Sequence, residues 1–384
     1  MPVIDSDQHL VEYRGMWEEL IEPKHRGDAI RMVDDDLGYT TLVAGSTVLG
    51  LVEVQTPGDT APIGARHRAY RAGEPAAERY DDTLPAEHWS PSARLAALDG
   101  LGVDEAILFP NYGLLWERTL DRSLPALLAN MGAWNRWCTM VAAEGRGRLH
   151  PVAHVSLRDL DWLDAQLRAL SQADVRLAMM APALVDGRPL SDPTLDRAWS
   201  LFVEHGVSPV FHVAEQRRPF DDAWYTDAGA TFVPTVESVF LWTAAALACT
   251  DLIVNGVLER HPDLRVGIVE LSAVWLPMFL LMLDGGVEFT TKLNGRAPAD
   301  LSLRPSEYLL RQVRVSSFSY ELPARLIRQL GGHDILMCCS DFPHSEGSAS
   351  PIVDYAATQP PSYAMAPDDA PAFFGDNAGF LLRR

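Results

Sequence analysis

From residue 104 onward, short apolar runs alternate with longer helical patterns, and this alternation most limits the folds open to the chain. The runs are "DEAILFP", "RLHPVAHVSL", "VRLAMMAP", "SPVFHV", "LRVGIVEL", "VRVSS" and "DILMCCS"; "PVIDS" at the start makes eight. Continuous apolar runs suit strands buried on both faces of a parallel sheet. Between them lie "PALLANMGAWNRWCTMVAAEG", "WLDAQLRALSQA", "TLDRAWSLFVEHG", "WLPMFLLMLDGG" and "LPARLIRQLGG", several closed by the glycine that helix ends favour. The pattern predicts an α/β fold, a (β/α)₈ TIM barrel, with catalytic side chains at the C-terminal strand ends.

Residues 13 to 100 break the alternation. They hold charge clusters, the turn-rich "QTPGDTAPIGARHRAYRAGEP" and an alternating "YTTLVAGSTVLGLVEV" that predicts a hairpin. The expected domain is one barrel over residues 1–384, with 13–100 as an insertion that covers the mouth as a lid or makes an oligomer contact. At 384 residues and 47% apolar content the chain can bury a core of that size.

The 52 acidic and 32 basic residues give a net charge of -20, which repels nucleic acid and anionic lipid. Cys138, Cys249, Cys338 and Cys339 form no CxxC pair and no disulfide framework, so buried thiols and a reducing cytoplasm are expected. The start shows no basic and apolar leader pattern. The most apolar window, "VFLWTAAALACTDLIVNGVL", is interrupted by Thr250, Asp251 and Asn255 and reads as a buried helix.

Several strands end in titratable side chains. "PVIDSDQH" ends in Asp7 and His9, "SPVFH" in His212, "LRVGIVE" in Glu270 and "ILMCCSD" in Asp341. Asp7 and His9 are two apart and share one side of an extended strand. Alone, each group also reads as a hydrogen-bonded strand end. Together, Asp7, His9, His212 and Asp341 supply two nitrogens and two carboxylates to one divalent ion, with zinc first and manganese or iron as alternatives. Water on such an ion is a nucleophile whose proton an adjacent carboxylate can take.

In this order, DxH on the first strand, His on the fifth, "LERHPDLRVGIVELSAVWLP" around the sixth and "SDFPH" after the eighth, the chain resembles the amidohydrolase-related family that includes aminocarboxymuconate semialdehyde decarboxylase. "GVDEAILFPNYG" and "WNRWCTMVAAEGRGRLHPVAHVSLRD" resemble that family's second- and third-strand segments, so the likeness spans residues 1–12 and most of 96–384. The resemblance implies a metal-dependent barrel acting as decarboxylase, hydratase or hydrolase on aromatic or unsaturated acids. It assigns Asp7, His9, His212 and Asp341 to the metal and lets Asp341 handle a proton. Two departures stand out: Asp7-Gln8-His9 replaces the common HxH, and Glu270-Leu271-Ser272-Ala273 replaces a histidine in a glycine-rich turn. Glu270 is therefore read as an acid or base, a structural acceptor or a further ligand.

His344 is expected to orient Asp341 or meet substrate, Glu12 to fix a ligand or a helix start, His154 to line the interior or sit as a satisfied core histidine, Arg176 to pair with a substrate carboxylate or one of these acids, and Arg217 and Arg218 to greet an anionic substrate or solvent. Tyr112, Trp116, Trp134, Trp137, Trp224 and Trp275 read as core or as an aromatic wall, and His25, His67, His88, His150, His205, His261 and His333 as surface residues. The leading function is hydrolysis of a small polar substrate through a metal-activated water. The alternative is non-oxidative decarboxylation of an aromatic or unsaturated acid; a subunit of a heteromeric metal-dependent hydroxylase and a non-catalytic scaffold come after it. The expected partners are a small-molecule substrate and further copies of the chain, or a paralogous barrel.

Overall fold

The computed structural model describes residues 2–59, 62–113, 116–120, 123–213, 218–229, 232–332, 334–345, 347–348 and 350–384. Eight parallel strands, first to eighth in chain order, form one sheet: Ile4–Leu10, Glu105–Pro110, Leu149–His154, Leu177–Met180, Ser208–Phe211, Val266–Ile268, Val313–Ser317 and Leu336–Cys338. Seven fall within a run expected from the sequence, and the first continues past its run, "PVIDS", to Leu10. The ring closes just beyond the eighth strand, where the Asp341 N–H donates to the Asp7 carbonyl at 2.9 Å and the His9 N–H donates to the Phe342 carbonyl at 2.7 Å. The architecture is a (β/α)₈ barrel.

The barrel interior is filled by Ile4, Ile107, Phe109, Val152, Leu177, Met179, Val210 and Met337. Leu381 and Leu382, from the C-terminal helix Asn377–Leu381 and the residue after it, pack into the same cluster. Gly267 on the sixth strand makes room for them, since a Cβ there would lie 3.0 Å from Leu381. Helices Leu124–Glu144, Leu160–Gln172, Asp196–His205, Leu276–Asn294 and Pro323–Gln329 cover the outside. Asp159 starts the second of these by accepting from the Trp162 N–H, and Gly206, in the left-handed region, ends the third. Leu276–Asn294 differs from expectation: it runs on through Gly285 and Gly286 instead of ending there. The apolar window becomes the largely buried helix Thr243–Val254, and among the described residues no helix is long and apolar enough to cross a membrane.

Between the first two barrel strands the chain builds an antiparallel sheet from Ile30–Asp34, Thr40–Ala44 and Thr47–Leu51, then a series of helices ending with Pro91–Leu101. The last two strands are the expected hairpin; Ile30–Asp34 is an addition whose exposed, charged side chains hid its alternation. The residues that follow reach the barrel mouth. Gln55 accepts from the N–H and hydroxyl of Ser345, both at 3.1 Å, and the Tyr112 hydroxyl donates to the Glu53 carbonyl.

Candidate metal centre

The first strand brings Asp5, Asp7, Gln8 and His9 into the closure between strands one, two and eight, and all four are fully buried. A register shift between Asp5 and Gln8 bends the strand locally, which is how bulges re-aim side chains near sites. Asp5 is well satisfied. It accepts from the Ser340 hydroxyl at 2.5 Å and N–H at 3.0 Å, from the Gln8 amide at 2.8 Å and from the Asp7 N–H at 3.2 Å. Even so, burial pushes its carboxyl up to about 6.

Asp7 has the same burial and none of these donors: both carboxylate oxygens lack a hydrogen bond. Burial, reinforced by the charges of Asp341 and Asp5, raises its pKa well above the usual range. The Nε2 atoms of His212 and His9 lie 3.5 Å and 3.7 Å from it. Neither nitrogen is a donor in the neutral ring. His9 Nδ1 lies 3.1 Å from the Pro110 carbonyl and His212 Nδ1 2.9 Å from the Val213 carbonyl; carbonyls only accept, so both rings carry their proton on Nδ1 and turn an Nε2 lone pair inward. Burial keeps the rings neutral by lowering each pKa to about 4, with His344 adding to the effect at both. The His9 lone pair then faces Asp341 Oδ1 at 3.1 Å, and that of His212 faces Glu270 Oε2 at 3.3 Å.

A buried group of acceptors facing one another is costly unless a cation sits among them. Among the described residues, three overlapping triads have ligand atoms within 4.8 Å of one another: Asp7 with His9 and His212, His9 with Asp341 and His344, and Asp7 with Glu270 and Asp341. The structure thus brings together all six residues expected at the site, and the donor set fits a divalent ion.

Asp341 and Glu270 are held in strained turns. Both have positive φ (60° and 56°), as does Ser272 (61°), a region non-glycine residues enter at some cost. The turn after the sixth strand thus keeps left-handed backbone without the glycines that the family resemblance implies. Glu321 fastens it, accepting from Ser272 Oγ at 2.5 Å, Ser317 Oγ at 3.0 Å and the Ala273 N–H at 3.2 Å. His344 stacks on His9 with ring centroids 4.1 Å apart, places Nδ1 2.9 Å from Asp341 Oδ1 and reaches Asn111 Oδ1 with Nε2 at 2.9 Å. Burial alone would raise the Asp341 pKa; His344 outweighs it and holds the carboxyl below the usual range.

Other expectations change. Arg176 precedes the fourth strand at the opposite end of the barrel, where it pairs with Asp174 at 2.8 Å. Glu12 accepts backbone N–H groups of Tyr112 and Gly113 after the second strand, a structural role. His154 is buried beside Trp116 and 3.2 Å from Glu117, apart from the triads. Arg218 pairs with Glu237 and lies over Tyr225. Arg217 and His333 lie outside the described residues. Of the named aromatics, Trp224 is 68% exposed, whereas Tyr112, Trp116, Trp134, Trp137 and Trp275 are buried. His88, expected on the surface, is fully buried edge-on to Phe342 because the helices before the second strand fold against the first.

Arg94 is the main residue that sequence reasoning missed. Fully buried, it donates to the Gln8 side chain at 2.9 Å and to the carbonyls of His9 at 2.7 Å and Glu87 at 2.6 Å, and its guanidinium lies over Phe342. Its only sequence signal is a charge within the otherwise apolar "ARLAAL". Asn111 and Glu321 carried none.

The structure is similar to a solved amidohydrolase from Mycobacterium avium subsp. paratuberculosis K-10, with TM-score 0.77 and 23% identity over 99% of both chains. It is also similar to a 5-carboxyvanillate decarboxylase from Novosphingobium aromaticivorans solved with manganese and 3-methoxy-4-hydroxy-5-nitrobenzoic acid, with TM-score 0.67 and 16% identity over 100% of this chain and 97% of that one. A 2,6-dihydroxybenzoate decarboxylase from Rhizobium follows at TM-score 0.62 and 14% identity, over 100% and 99% of the two chains. At these identities the likeness establishes the fold. No curated protein matches the sequence. The sequence itself matches the amidohydrolase family over residues 4–384, and the chain belongs to that family.

Proposed function

We propose that the chain is a non-oxidative decarboxylase of a hydroxylated aromatic or unsaturated carboxylic acid, working at a single divalent ion held by Asp7, His9, His212 and Asp341. What carries the reading is the acceptor cluster around the unpartnered Asp7 carboxylate, set in a fold whose solved neighbours include decarboxylases of hydroxylated benzoates. Those neighbours favour this reaction over the hydrolysis that the residues alone suggested first. When bound, the ion supplies a Lewis acid for the substrate's oxygens. A carboxylate at the first position is a harder ligand than the usual histidine, which favours manganese as much as zinc.

The chain's own groups do the rest. His9 and His212 stay neutral and oriented through their Nδ1 bonds to the backbone. Asp341 and His344, 2.9 Å apart, share a proton that can pass to the substrate carbon bearing the carboxylate. The carbon–carboxylate bond breaks, its electron pair stays on that carbon and takes up the proton, and CO₂ leaves. Glu270 stands beside His212 as a second acid or base. Residues 52–55 form part of the rim and act as a cover, and deleting the small sheet should leave the metal bound while raising KM.

The test is CO₂ release by manganese- or zinc-loaded protein from a panel of hydroxybenzoates and unsaturated acids. Stoichiometric CO₂ with the matching decarboxylated product is expected; turnover of amides, esters or lactones without CO₂ overturns the reading in favour of hydrolysis. Glu270→Gln is expected to keep the metal and lose turnover, and loss of metal would make Glu270 a ligand instead.

A further inference from the structure

Residues 52–55 are tied down through their backbone and through Gln55. The Val52 N–H donates to the Thr40 carbonyl at 2.9 Å, the Tyr112 hydroxyl to the Glu53 carbonyl and Arg66 to the Val54 carbonyl at 3.1 Å, while Gln55 accepts from Ser345. The Glu53 carboxylate is left out. Its side chain is 8% exposed, and neither oxygen makes a hydrogen bond. Asp7 is the one other carboxylate among the described residues with both oxygens buried and unbonded. A buried carboxylate without donors is costly. At Asp7 the proposed metal offsets that cost, but Glu53 belongs to none of the three ligand triads.

His67, on helix Ile63–Ala72, brings Nε2 to 3.4 Å from Glu53 Oε1 without a hydrogen bond. Burial, with Arg71 adding to it, lowers the His67 pKa, so the ring stays neutral and leaves the carboxylate charge uncancelled. Burial also pushes the Glu53 carboxyl up to about 7, against the pull of Arg66. The surroundings show from which side a partner can come. Tyr112 follows the second strand, and Ser345 follows Asp341 and His344 after the eighth. Phe232, against which the His67 ring tilts with centroids 4.7 Å apart, follows His212 after the fifth. Arg71 ties the same helix to the Gly229 carbonyl at 3.0 Å. Glu53 therefore sits where segments leaving three strand ends meet, on the side of the barrel that carries His9, His212 and Asp341.

Granted the decarboxylase reading, on which this rests, the substrate's carboxylate end goes to the metal centre and its other end to the cover. We propose that Glu53 recognises that far end by accepting a hydrogen bond from a hydroxyl or amino group on it. The substrates are then acids that carry a hydrogen-bond donor remote from the carboxylate, and an ether or alkyl group in its place leaves Glu53 buried without a donor.

Titration calorimetry of manganese-loaded protein tests this with ortho-hydroxybenzoates that differ only in the group para to the carboxylate: hydroxyl, amino or methoxy. Wild type should bind the hydroxyl or the amino acid at least about 10-fold more tightly than the methoxy one, and the tighter of the two identifies the group. Glu53→Gln offers an amide donor to the methoxy oxygen, so the preference should shrink to about 3-fold or less while the metal stays bound. A purely structural glutamate is separated by melting without ligand: Glu53→Gln and Glu53→Met should melt no lower than wild type, since each removes a buried charge that lacks a partner. A wild type without the preference, a preference unchanged in Glu53→Gln, or variants that both melt lower would each overturn the proposal and leave the decarboxylase reading standing. If none of the three acids binds, the proposal falls too, and CO₂ release from the wider panel decides whether the decarboxylase reading falls with it.

Discussion

The two ends of the barrel treat buried charge in opposite ways. At the N-terminal end, Glu105 opens the second strand and is matched by His150 at 2.6 Å and Arg384 at 2.7 Å. At the C-terminal end, Asp7 is more deeply buried and faces only lone pairs and other carboxylates. The first arrangement holds a fold together without help. The second suits a cation that arrives after folding, as the proposed metal centre requires of Asp7.

Asp7→Asn should break the contrast most strongly. The amide adds the donor the cluster lacks, so the metal-free variant should melt no lower than metal-free wild type, while bound metal falls from about one ion per chain to near none and turnover drops to background. Calorimetry of both proteins with and without metal, together with elemental analysis, checks this. A variant that melts lower yet binds metal normally would make Asp7 a structural residue.

Arg94 sharpens the comparison because it is a fully paired charge at the unpaired end. Arg94→Met leaves the Gln8 side chain and two carbonyls without donors in a dry environment, which should destabilise the fold by about 3–5 kcal/mol. Urea denaturation measures it. Loss below about 1 kcal/mol would mean that water replaces the guanidinium.

The contrast was only half legible in the sequence. Strands buried on both faces read as apolar runs, and Asp7, His9, His212, Glu270 and Asp341 each end such a run, so barrel and cluster followed from local pattern. Arg94, Asn111 and Glu321 act across long stretches of chain, and residue type gives no sign of such partners. His88 was misplaced for the same reason: only the packing of helices Ala86–Trp89 and Pro91–Leu101 against the first strand buries it. In Leu276–Asn294 the two glycines, residues that ordinarily end helices, lie inside one, and no local signal marked the continuation.

His344 tests how far the mouth depends on orientation. His344→Gln should retain the metal and reduce kcat by about 10–100-fold, the usual effect of losing a partner that aims a ligand. An unchanged kcat would leave Asp341 oriented by His9 and its own strained turn.

Glu105→Gln probes the paired end, with the smallest effect. His150 and Arg384 outweigh the burial that would raise the Glu105 pKa and hold it down at about 2, against its usual 4.5. A carboxylate depressed in the fold stabilises it above the unfolded-state pKa, and that stabilisation fades as pH falls toward the folded value. The variant should therefore be less stable than wild type by about 1–2 kcal/mol at pH 7, a modest figure because Arg384 is partly exposed. The gap should hold down to about pH 4.5 and narrow steadily below it. Added salt should shrink it too, by screening the Arg384 contact. Urea titrations at pH 7, 4.5 and 3 check the sign: a gap that widens in acid would mean that Glu105 is held protonated, and the two ends of the barrel would then share one solution to buried charge.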